Sequence, residues 1–158
     1  MEGELDSVDR RLLDVVQSDA RLSFREIGRR IGMSTPAVAD RIRRLEATGV
    51  IKGYTARVDR AALGREIGAF IRLTVSDRDF RRVAGLCGSL DAVVECHHIT
   101  GDESFVIRVA VASIAELEDV ISRFRKIGSA QSSVILSSPV DGKPARAASA
   151  LLAPAPSR

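Results

Sequence analysis

The chain of 158 residues has no tryptophan, a single tyrosine and an aromatic content of only 4%. That leaves little material for the aromatic platforms on which single-stranded nucleic acids stack. Its two cysteines, Cys87 and Cys96, form no CxxC or other ligand-spaced pattern, which argues against a disulfide framework. No stretch approaches the ~20 consecutive apolar residues of a membrane span. The opening "MEGELDSVDRR" is acidic and polar and lacks the apolar centre of a secretion signal. The expectation is a cytoplasmic protein with no membrane partner. There is also no Ser-His-Asp signature, no Gly-rich phosphate loop and no HExxH. No catalytic residue, metal ligand or cofactor is therefore assigned.

What is present is a balanced globular composition, 45% hydrophobic and 28% charged, long enough for one ordinary domain or two small ones. The net charge of +3 is unevenly placed. Between Arg21 and Arg60 stand ten Lys or Arg against four acids, whereas from Glu66 onward there are eleven of each sign. A basic segment beside a neutral one fits a polyanion-binding module joined to something else.

The first sixty residues read as helices. "LDSVDRRLLDVVQSD" places Leu5, Leu12, Leu13 and Val16 on one helical face. In "LSFREIGRRIG", Ser23 is the expected N-cap, Glu26 closes a capping box, and Leu22 and Ile27 form a staple. Gly32 then stops the helix in a left-handed turn. Thr35-Pro36 reads as a cap followed by proline at the first helical position. Val38, Ile42 and Leu45 give that third helix an inward face, and Gly49 ends it. "VIKGYTARV" reads as a short ribbon, the wing of a winged arrangement.

From Gly68 strands alternate with helices: "GAFIRLTV", "SDRDFRRVAGLCGSL", "VVECHHIT", "FVIRVAV", "SIAELEDVISRFRKIG" and "QSSVILSS". In the later helices Phe80, Val83, Leu86 or Cys87 and Leu90, and then Ile114, Leu117, Ile121 and Phe124, should face inward. The order β-α-β-β-α-β is the split βαβ of a ferredoxin-like domain. The expected fold class is therefore α+β. A helix-turn-helix domain spans 1–58, a linker 59–67 and a βαββαβ domain 68–140, and 141–158 form a disordered Ala/Pro-rich tail. Two helices cover only one face of such a sheet. The other would expose Phe70 and Val106 unless a second copy covers it, which implies a dimer.

The first helices carry the chemistry. A second helix rich in arginine, after a glycine-centred turn, can enter the major groove of double-stranded DNA. With Val38, Ile42 and Leu45 inward, Ala37, Arg41 and Arg44 share one flank and Asp40 and Arg43 the other. Ser34, Thr35 and Ala37, at the helix start, are placed for bases. Arg41 suits a guanine edge or a phosphate and Arg44 a phosphate, and Arg43 is placed for DNA with them. The competing view is a solvated face, with Asp40–Arg44 and Arg43–Glu46 as surface pairs.

The run "RLSFREIGRRIGMSTPAVADRIRRLEATGVIKGYTARVD" closely resembles the DNA-binding part of the Lrp/AsnC (feast/famine) transcriptional regulators, with Met33 in place of a usual leucine. The second half, through "TGDESFVIRV", resembles that family's ligand-sensing domain. The resemblance covers roughly residues 5 to 140. It implies a dimer, often built into tetramers or octamers, that binds an amino acid or related effector between dimers. In this chain the matching effector region is His98, Thr100, Gly101, Asp102, Glu103 and Ser104. Serine stands where the family's Gly-x-x-Asp turn has its acid, so either Asp102 and Glu103 supply the charge from neighbouring positions or the ligand is not a free amino acid.

Two other classes compete with that implication. Certain haem-pathway decarboxylases share the two-part architecture, and the His97-His98 pair keeps an enzyme in view. A nucleoid-type protein would bind DNA without an effector. A metal at "ECHHITGDES" is disfavoured because Cys96 and His98 face one side of a strand and His97 the other.

Overall fold

The computed structural model describes residues 5–146. The described chain divides into two compact units, residues 5–56 with 140–146 and Arg57–Pro139. The first holds three helices, α1 (Ser7–Ser18), α2 (Phe24–Ile31) and α3 (Thr35–Ala47). Each starts on a side-chain cap. Asp6 Oδ1 accepts from the N–H groups of Val8 and Asp9, and Asp9 Oδ2 accepts from the Asp6 N–H in return, a closed capping box. Ser23 caps α2 through the Glu26 N–H. The return half expected of Glu26 is not made, because its carboxylate turns to Arg29 and Arg30.

Helix α3 begins one step earlier than the sequence suggested. Ser34, with extended backbone, accepts from the Ala37 N–H, and Thr35 is already helical. Two glycines shape the turn between α2 and α3. Gly32 has φ +74°, the left-handed conformation expected of it. Gly28 is needed for space: a Cβ there would collide with the Met33 carbonyl oxygen. Leu12, Val16, Ile27, Ile31, Val38, Ile42 and Leu45 form the core, with Leu5 and Leu13 half-buried at its edge. After α3, residues 52–59 carry no helix or strand, where a ribbon was expected.

The second unit contains β1 (Ile67–Thr74), α4 (Phe80–Ser89), β2 (Val93–His98), β3 (Phe105–Val111), α5 (Ile114–Arg125) and β4 (Ser129–Val134). Strand order is β2-β3-β1-β4 with every neighbour antiparallel, the split-βαβ topology predicted. β4 lies earlier than the expected 131–138, and a 3-10 turn, Asp77–Asp79, precedes α4. Ala69, Ile71, Leu73, Phe105, Ile107, Val109 and Val111 meet Val83 of α4 and Leu117, Val120, Ile121 and Phe124 of α5 in one core. Ile114, expected inward, is 53% exposed because it opens α5 ahead of the buried stripe.

The uncovered sheet face is more polar than the sequence suggested. Phe70 and Val106 lie on it beside Arg72, Arg108, Glu95, His97 and Gln131. Arg108 reaches Glu95 at 3.2 Å, His97 lies 3.5 Å from the same carboxylate, and Arg72 donates to Gln131. Residues 141–146 carry no helix or strand, and the rest of the expected tail, 147–158, lies outside the described residues.

Candidate nucleic-acid interface and effector turn

The three arginines of α3 do different things. Arg43 points outward and pairs only locally, with Asp40 at 2.9 Å; both side chains are about 70% exposed (71% and 72%). Arg41 and Arg44 turn along their shared flank to α1. Arg44 Nη2 donates to both oxygens of Asp9 at 2.7 Å, and Arg41 Nη1 donates to Asp9 Oδ1 at 2.7 Å and Asp6 Oδ2 at 2.6 Å. Neither surface pair considered from the sequence, Asp40–Arg44 or Arg43–Glu46, is made. Glu46 instead accepts from the Tyr54 hydroxyl at 2.8 Å. Ser34 and Thr35 are exposed at the start of α3, and Ala37 is half-buried.

Asp9, which holds both Arg41 and Arg44, is not among the residues singled out from the sequence. It is 1% exposed, a carboxylate inside a helical core. The signal was available in the spacing: Leu5, Asp9, Leu12 and Val16 stand at i, i+4, i+7 and i+11, so an acid sits in the apolar stripe. Buried carboxylates require paired, hydrogen-bonded cations, and α3 supplies two of them.

Two carboxyls of this unit are strongly acidified. Asp6 is lowered to about 2, first by the Asp9 N–H of the cap and then by Arg41. Glu26 is lowered to about 2 by Arg29 and Arg30. A depressed carboxyl stabilises the fold while ionised and ceases to do so as pH falls through its folded-state value. The helical unit should therefore keep this contribution above about pH 4.5 and lose it towards about pH 2. Thermal melts from about pH 5 downward should show a falling Tm, less steep in about 1 M salt. A Tm that stays level across that range would contradict the assignment.

The turn considered for an effector lies between β2 and β3. Gly101 there has φ +120°, which a residue with a side chain rarely adopts. Ser104 is not presented outward. Its hydroxyl accepts from the Val75 N–H and lies 3.2 Å from the Val75 carbonyl, and its own N–H donates to Leu73 O. It ties the turn to the end of β1. Asp102 is exposed, with its carbonyl accepting from the Thr74 hydroxyl, and Glu103 lies 4.0 Å from Arg72. Thr100 is exposed beside Gly101. His98 sits edge-on to Phe80 at 4.7 Å and near Phe105 at 5.2 Å, while His97 points to the opposite sheet face. Cys96 lies against the core with Cys87, whose thiol is pushed up to about 12 by burial and by its sulfur neighbour. Among the described residues no three His, Cys, Asp or Glu side chains gather for a metal.

A capped trihelical unit with an arginine-bearing second helix, followed by a βαββαβ unit with a polar turn, defines a two-domain helix-turn-helix protein. Residues 5–46 match the AsnC-type helix-turn-helix domain, and residues 68–145 match the Lrp/AsnC ligand binding domain. The chain is 37% identical over 126 residues to the HTH-type transcriptional regulator LrpA of Mycobacterium tuberculosis, spanning 79% of this chain and 84% of that protein. It is 33% identical over 120 residues to LrpC of Bacillus subtilis, spanning 76% and 83%. The solved structure of B. subtilis LrpC superposes with a TM-score of 0.83 at 32% identity, covering 89% of this chain and 100% of that one. A feast or famine regulatory protein of M. tuberculosis, complexed with L-methionine, superposes at 0.84 with 33% identity, covering 91% and 100%. The chain belongs to the Lrp/AsnC family of helix-turn-helix transcriptional regulators.

Proposed function

We propose that this regulator binds double-stranded DNA sequence-specifically through α3 and responds to an amino acid or related small molecule at the turn 98–104. The observation that carries the DNA half is the outward start of α3, where Ser34 and Thr35 are exposed, with Arg43 projecting to solvent about two turns further along the helix. Ser34, Thr35 and Ala37 would meet base edges, and Arg43 a phosphate. Arg41 and Arg44 approach the backbone from the flank while anchored on Asp9. The effector half draws on the M. tuberculosis relative complexed with L-methionine. His98, Thr100, Gly101, Asp102, Glu103 and Ser104 form the candidate site here. Asp102 and Glu103 would face an ammonium group, because the Ser104 hydroxyl is engaged with Val75.

The working unit would be a homodimer or a higher homo-oligomer in the cytoplasm, with the polar sheet face as one seam. The division of labour would be 1–58 for DNA, 59–67 as linker, 68–140 for sensing and assembly, and 141–158 as tail. No enzymatic step is assigned.

Fluorescence anisotropy with the DNA upstream of the protein's own gene, against a shuffled duplex of equal length, tests this reading. Both titrations are run with and without a pool of the twenty amino acids. Preference for the native duplex, altered by the pool, is the expected result. Equal binding to both with no response would identify a nucleoid-type protein. No binding to either would return attention to His97-His98 and an enzyme, whose porphyrin-type substrate would announce itself as colour on purification.

A further inference from the structure

Arg41 ends on two carboxylates of very different exposure. Its Nη1 donates to Asp6 at 2.6 Å and to Asp9 at 2.7 Å. Asp9 is buried and also holds Arg44, whereas the Asp6 side chain is 47% exposed. Asp6 divides its two oxygens between two tasks. Oδ1 caps α1 by accepting from Val8 and Asp9, and Oδ2 takes Arg41. An exposed carboxylate oxygen on a guanidinium nitrogen is chemically what a DNA phosphate oxygen would be. Nη1 has two hydrogens and spends them on Asp6 and Asp9, so a phosphate oxygen would reach that nitrogen by taking the place of Asp6.

We propose that Asp6 is a built-in competitor for the DNA backbone: its carboxylate holds the position on Arg41 that a phosphate takes when α3 docks, while Asp9 keeps Arg41 and Arg44 in place. This rests on the DNA-binding reading above. A competitor for phosphate weakens binding to every duplex alike, because phosphate contacts carry no base information. Asp6 thus sets the strength of binding without setting its preference.

Separate oxygens make the test clean. Asparagine caps a helix as well as aspartate, so Asp6→Asn keeps the Oδ1 cap and removes the anion from Arg41. Asp6→Ser also caps and carries the test should the asparagine variant fail to fold, as judged by a far-ultraviolet melt. Anisotropy would be measured for the wild type, each variant, Arg41→Gln and the double variant, on the native upstream DNA and on the shuffled duplex. Removing Asp6 is expected to tighten binding to both duplexes by about 3- to 10-fold. The ratio between the duplexes stays constant. In the Arg41→Gln background the same change should do nothing. Unchanged or weaker binding by the Asp6 variants overturns the inference, as does tightening that persists without Arg41. A wild type that binds neither duplex overturns the DNA reading and this inference together. A wild type that binds, with Asp6 variants identical to it, overturns this inference alone.

Discussion

Asp9→Ala should cost the helical unit about 3 kcal/mol of stability, read as a lower urea midpoint of the helical signal. The reason lies in what Asp9 holds. Its carboxylate is 1% exposed and accepts from Arg41, from Arg44 at both oxygens and from the Asp6 N–H. Truncation leaves two guanidiniums directed at an empty space in the core and opens the capping box of α1. Breaking a buried ion pair at one partner typically costs ~3–5 kcal/mol. Here the low end applies, because the arginine side chains are 26% and 53% exposed and can partly rehydrate. Asp9→Asn keeps an acceptor and the shape, so it should lose roughly half as much. A loss below about 1 kcal/mol for the alanine variant would mean that α1 and α3 are held by their apolar contacts alone.

Gly128→Ala should be the most damaging small substitution in the sheet unit, at about 2–3 kcal/mol. Gly128 has no left-handed backbone to maintain, and it is glycine for lack of room. A Cβ there would run into the Thr74 carbonyl oxygen, a backbone atom that cannot swing aside, and into a Val75 methyl group at 2.5 Å. The strand end that would have to move is the one the Ser104 hydroxyl grips through Val75. The variant should therefore show a lower melting temperature and a weakened effector response together. A variant that melts like the wild type would show that β1 and β4 can separate there without cost.

The fold was legible because its local signals agree. Ser23, Gly32 and Ser113 are at helix ends, and inward stripes such as Val38-Ile42-Leu45 and Leu117-Ile121-Phe124 are buried. Errors came where one residue offered two local solutions, as at Ser34-Thr35, where either hydroxyl could cap a helix whose next residue is proline. The partners of the site arginines were harder to read. Sequence spacing suggests partners three or four positions away, and Arg43 does take Asp40. Arg41 and Arg44 take acids more than thirty positions upstream, which only the packing of α1 against α3 brings near. The single clue was an aspartate in an apolar stripe. Gly28 and Gly128 were equally silent, since the need for space at a glycine depends on a neighbour that the sequence does not identify.

In the proposed reading Arg43 faces the duplex, whereas Arg41 and Arg44 are anchored on Asp9. The most direct measurement is the salt dependence of binding to the native upstream DNA for the wild type and Arg43→Ala. Each phosphate contact contributes about 0.9 to the slope of log K against log salt. The account predicts that Arg43→Ala flattens the slope by about one per protomer engaged, with an unchanged melting temperature. A slope identical to that of the wild type would contradict it, because the most exposed cation of α3 would then be making no contact with DNA.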